Sequence, residues 1–144
     1  MDVSELRKGI LRALDEARRD ATTKQAAADQ AADDFAGFLQ NIAGPLVRQA
    51  ADVLRAEREA YVVHTPSDSV RLASDSAPHT FMEFVLDTTG SEPQAVGRIS
   101  VTRGRQGQVL EEMPIAPGKA IADLDEDDVA DFLLRAIPKL VSKR

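Results

Sequence analysis

An apolar stripe keeps α-helical phase from Val3 to Val53, with no proline before Pro45, and it constrains the fold more than any other feature of the chain. Read at about 3.6 residues per turn, it runs Val3, Leu6, Ile10, Leu14, Ala17, Ala21, Ala28, Ala32, Phe35, Leu39, Ile42, Leu46, Ala50 and Val53, with Lys24 and Gln25 as its polar interruption. Unbroken, about fifty helical residues would measure roughly 75 Å, whereas a folded domain of this length has a radius of gyration of about 14–15 Å. One small core cannot cover such a helix. It must fold back into antiparallel pieces, or project and find cover on another molecule. Gly44-Pro45 is one candidate break, because proline removes a backbone donor and its ring meets the carbonyl of Asn41. The stripe resumes in phase at Leu46, so a kink fits as well as a stop. Thr22-Thr23 is the second candidate: both residues are β-branched, and Thr22 with Gln25 has the spacing of a capping box.

Composition changes sharply near Tyr61. Fourteen alanines and one proline lie in the first sixty residues, while six of the seven prolines follow. Tyr61 to Thr65 reads as a strand closed by the turn Pro66-Ser67-Asp68-Ser69, with Val70 and Leu72 alternating after it. Thr80 to Thr88 is the strongest strand, with Met82, Phe84 and Leu86 on one side and Phe81 and Val85 on the other. Ala95 to Arg103 alternates with Ile99 and Val101 inward, and Gln108 to Ile115 follows. The short, turn-rich connections predict antiparallel hairpins rather than crossovers.

The last element is a helix beginning at Asp125. Asp125 is a good N-cap, Asp128 stands three residues on as a capping-box partner, and Leu124 and Val129 occupy the two positions of a hydrophobic staple. Val129, Phe132, Leu133, Ala136, Ile137, Leu140 and Val141 form an apolar face that survives Pro138, which predicts a kinked helix to about residue 142. Its acidic front and basic rear (Arg135, Lys139, Lys143, Arg144) complement the helix dipole.

Together these features predict an α+β protein of one domain over residues 1–144. It comprises a long kinked or broken helical segment (1–60), a four- to five-stranded antiparallel meander (61–122) and a C-terminal helix packed on the sheet (123–144). The chain has no cysteine, which excludes disulfides, thiol nucleophiles and cysteine-based zinc sites. Its net charge of −6 is spread evenly, each of the three segments carrying −2, so no basic arm favours nucleic acid. Asp2 and Glu5 occupy the place of a signal peptide's basic region, and no run approaches the roughly eighteen apolar residues of a membrane span. A soluble cytoplasmic protein is expected.

Chemistry-bearing motifs are sparse. Asp123 to Asp128 begins like an EF-hand loop, but Asp128 and Leu134 stand where glycine and a bidentate glutamate belong, and helix capping accounts for the acids without a metal. His64 with Asp68 and His79 with Glu83 are four apart, a spacing that does not pair them on a strand face. The serines around them lack the strained elbow of a nucleophile. Arg98, Arg103 and Arg105, beside Gly104 and Gly107, could hold a phosphate or carboxylate; a charged hairpin tip is the plainer explanation.

Phe35 and Phe38, with Leu39 and Ile42, form the densest apolar patch of the first helix. Core packing explains it, and so would an interface. The function expected from these features is a non-catalytic protein-interaction module, a small acidic adaptor or chaperone-like homodimer whose interface includes some of Ile10, Leu14, Ala17, Phe35 and Phe38, with a protein partner and no cofactor. The alternative is a small anionic-ligand-binding domain with a pocket between sheet and helices, using Arg98, Arg103 or Arg105.

Overall fold

The computed structural model describes residues 2–77, 79–102 and 107–141. The helical stripe does not break. Helix α1 (Val3–Phe38) passes through a π turn (Leu39–Ala43) directly into α2 (Gly44–Ala56). Thr22 stays inside α1, where its hydroxyl donates to the Arg18 carbonyl at 2.9 Å, a back-bond that lets a β-branched residue sit mid-helix.

Gly44 and Pro45 produce the π turn. Proline at 45 has no N–H to give, and the chain inserts one extra residue into the turn, with the Gly44 N–H bonding to the Leu39 carbonyl five residues back. That carbonyl approaches so closely that a Cβ at Gly44 would lie 2.8 Å from it. The extra residue shifts the buried face by one position. Before the turn Ala31, Phe35 and Phe38 are buried, within it Leu39 and Ala43, and after it Val47, Ala51 and Leu54. The stripe expected through Ile42, Leu46, Ala50 and Val53 is therefore corrected: the first three are only partly buried and Val53 is exposed.

Five strands follow: β1 (Tyr61–His64), β2 (Val70–Ser74), β3 (Phe81–Asp87), β4 (Gln94–Thr102) and β5 (Gln108–Pro114). They form one sheet in the order β1-β2-β3-β4-β5, every neighbour antiparallel, as short hairpin connections require. The inner face presents Tyr61, Val70, Leu72, Met82, Phe84 and Ile99, all buried. Against it pack α2 and α3 (Glu126–Val141), the latter running through Pro138. Pro138 and Leu134, whose carbonyl loses its donor there, are both exposed, so water can satisfy that carbonyl.

Aromatic rings join the layers. Phe35 lies 5.8 Å from Phe38, Phe38 6.1 Å from Phe84, and Phe84 5.3 Å from Phe132, the last two pairs edge to face. Gly97, opposite Phe84 in the register, makes room for this stack. A Cβ there would come 2.1 Å from the Phe132 ring. The start of α3 has the expected geometry: Asp125 accepts from the Asp128 N–H at 3.1 Å, Asp128 accepts from the Asp125 N–H at 2.9 Å, and Leu124 and Val129 are buried beside them. Lys119 bridges both carboxylates.

Candidate interaction surface

No residue from Asp2 to Ala27 is buried, although they belong to a well-capped helix that starts with the Asp2 carboxylate accepting from the Ser4 N–H. Isolated helices are marginal in water, because nucleation is costly and most helical stability in proteins comes from packing an apolar face. Here that face has no cover among the described residues. Val3 is 80% exposed, Leu6 49%, Ile10 and Leu11 51% and Leu14 42%. Val3, Leu6, Ile10 and Leu11, with the Arg7 stem, line a shallow hollow along the helix. The stripe then narrows to alanine at 17, 21 and 28, with Gln25 and Gln30 hydrogen-bonded to Asp29 and Asp34 one turn on. The helix thus presents large apolar groups at one end and a smooth alanine surface at the other.

Phe35 and Phe38 lie elsewhere. Each is 3% exposed and built into the aromatic stack, so the core, not an outer surface, takes both rings. Between the sheet and α2 and α3, the volume where a ligand pocket was expected contains the side chains of Phe38, Phe84 and Phe132. A hollow of about 300 Å³ opens at the edge of the sheet, lined by Arg55, Arg58, Glu59, Ala60, Tyr61, Val62 and Asp75. Its basic groups sit among acids, and Arg55 is already engaged by Asp52 and the Tyr61 carbonyl.

Arg98 stands on the outer face of the sheet in a row that strand spacing alone did not reveal. Register places His64, Arg71, Glu83, Arg98 and Glu112 side by side across all five strands. Arg71 meets Glu83 at 3.2 Å, and Arg98 meets Glu112 at 2.7 Å. The Ser69 hydroxyl donates to Glu83 at 3.1 Å, and the Arg71 guanidinium lies 4.1 Å from the centre of the Phe81 ring. Opposite charges in adjacent strands are the sheet's analogue of helical ion pairs, and the row gives Arg98 a structural partner. The signal for it was in the sequence: Arg71, Glu83, Arg98 and Glu112 alternate in sign from strand to strand, but only pairing register shows that they align. Arg103 and Arg105 lie outside the described residues.

His64 and His79 are both exposed; the His79 backbone carbonyl accepts from the Ser100 hydroxyl at 2.6 Å. Among the described residues no three His, Asp or Glu side chains gather to hold a metal ion. No helix among them is long and apolar enough to cross a membrane. Tyr61 is the most perturbed group: burial, and secondarily the charge of Glu59, pushes its phenol from 10.0 up to about 12, while its hydroxyl donates to the Leu140 carbonyl at 3.0 Å. That bond ties β1 to the end of α3 and is structural. Comparison with models of protein families, with curated proteins and with solved structures finds no match to this chain.

Proposed function

We propose that this protein is a non-catalytic interaction module, a small acidic homodimer of adaptor or chaperone-like character whose contact element is the N-terminal half of α1. One observation carries the reading: five large apolar side chains between Val3 and Leu14 are each at least 42% exposed on a helix that the described residues leave uncovered. Exposed apolar surface concentrated on one element marks a binding site, and binding energy resides in a few large side chains that become buried at the contact. Burial at about 25 cal/mol per Å² then supplies the helix with the stabilisation its own domain withholds.

The test is light scattering of the purified protein beside the variant Ile10→Asp with Leu14→Asp. The wild type should have the mass of a dimer at tens of micromolar, and the variant should have the mass of a monomer with an unchanged core melt. A monomeric wild type would defeat the proposal. Replacing His64 and His79 with Ala should leave the dimer intact.

A further inference from the structure

The same exposed helix determines which way two copies meet. We propose that α1 pairs antiparallel with α1 of a second copy, about a two-fold axis that runs between the two helices, level with the Asp20–Ala21 peptide. This rests on the self-association proposed above and adds its direction and register.

Charge is distributed unevenly along the projecting helix. Arg7, Lys8 and Arg12 outweigh Asp2 and Glu5 in its first turns and leave residues 2–12 at +1, whereas Asp29, Asp33 and Asp34 give residues 29–34 a charge of −3. Parallel pairing would set each group against its own copy. Antiparallel pairing sets the basic stretch of one helix beside the acidic stretch of the other, and in one register the two stretches coincide along the axis: Arg7 is level with Asp34, Lys8 with Asp33 and Arg12 with Asp29. At about 100° per residue, Arg7 and Asp29 flank the stripe on the same side. A two-fold axis perpendicular to the helices brings matching flanks together, so Arg7 of one copy and Asp29 of the other share one side of the contact. Lys8, Arg12 and Asp33 point away from the seam and contribute only to the overall charge balance.

Side-chain size agrees with this register. Leu6 of one copy falls between Ala32 and Ala36 of the other, Ile10 between Ala28 and Ala32, and Leu14 between Gln25 and Ala28. Large knobs thus meet gaps between small residues, which lets the backbones approach closely. These gaps are open: Ala32 and Ala36 are exposed and Ala28 is half-buried, because the domain grips this part of α1 through Ala31, Phe35 and Phe38 on an adjoining face. The partner's N-terminal turns can therefore lie alongside the helix without displacing the core. Overlap from Leu6 to Phe35 amounts to about 45 Å at 1.5 Å per residue, which runs past the uncovered stretch and alongside the part of α1 that the domain holds.

The absence of cysteine makes the direction directly measurable by disulfide trapping in single-cysteine variants of the full chain. Ala21→Cys, next to the axis, should form a disulfide-linked dimer under mild oxidation. Ala28→Cys alone should not, whereas Ala28→Cys mixed with Ala13→Cys should give the mixed dimer, since residues 13 and 28 lie level. A dimeric protein in which Ala28→Cys links to itself, or Ala21→Cys does not, would overturn the antiparallel register while leaving self-association standing. A monomer by light scattering would remove both. Raising salt should weaken the dimer, because the flanking pairs are solvent-exposed and screened; dimerisation that strengthens with salt would also overturn the charge argument.

Discussion

Gly97 shows how strongly one residue can govern this core. In the sequence it is an unremarkable glycine inside an alternating strand, yet its missing Cβ is where the Phe132 ring rests. Phe132 is itself fully buried and has no room to turn away. Gly97→Ala should therefore cost about 1–3 kcal/mol, the usual penalty of overpacking, read as a lower urea midpoint; a neutral substitution would show that the α3–sheet contact is looser than described. Tyr61 makes a second residue-scale test. The folded state holds its phenolic proton more tightly than the unfolded chain, so its contribution is fully present below pH 10 and is lost as pH rises towards about 12. Tyr61 is the only tyrosine, so the ultraviolet absorbance of phenolate reports it alone and should titrate well above the ordinary range in the native protein. Titration near pH 10 with the fold intact would show that the ring is not sealed against α3.

At the scale of elements, the π turn decides which side of α2 faces the sheet. It acts as a one-residue insertion, so removing one residue from it should restore a plain α-helix without rotating α2. Deleting Gln40, which is exposed, would however leave proline in an ordinary helical turn, so the deletion is paired with Pro45→Ala. This variant should unfold cooperatively with near-native stability. Deleting the equally exposed Gln49 should instead rotate the remainder of α2 by about 100°, carry Ala51 and Leu54 out of the core and cost about 2–5 kcal/mol, the scale of losing a buried leucine. Circular dichroism melts compare the two directly; similar losses in both would mean that the π turn has a role beyond phase. Helix α3 behaves as its sequence predicts because its start is set by local bonds between Asp125 and Asp128, which no distant contact has to arrange.

For the whole molecule, the division between a projecting helix and a core predicts a clean truncation. Removing residues 1–27 takes away no buried side chain among the described residues, so the remaining chain should fold and its intrinsic stability should change by no more than about 0.5 kcal/mol, as for surface changes generally. Its melting temperature should also stop depending on protein concentration, since mass action stabilises only what still associates. Failure of the truncated chain to unfold cooperatively would show that α1 supports the core along more of its length than burial indicates.

The sequence by itself determined what rests on local periodicity and local hydrogen bonds: a helix too long for one core, four to five alternating strands joined by short turns, and an α3 start written in Leu124, Asp125, Asp128 and Val129. The tertiary structure alone decided matters that depend on the relative phase of separate elements. It selected Val47 and Leu54 over Leu46 and Val53 for the core, because a backbone rearrangement at Pro45 changes the count of residues per turn. It turned Phe35 and Phe38 inward, since helix direction relative to the sheet is not encoded in any single helix. It also aligned Arg71, Glu83, Arg98 and Glu112 into one row, because strand register is set by pairing across the sheet, and a shift of one residue would have sent each charge to the opposite face.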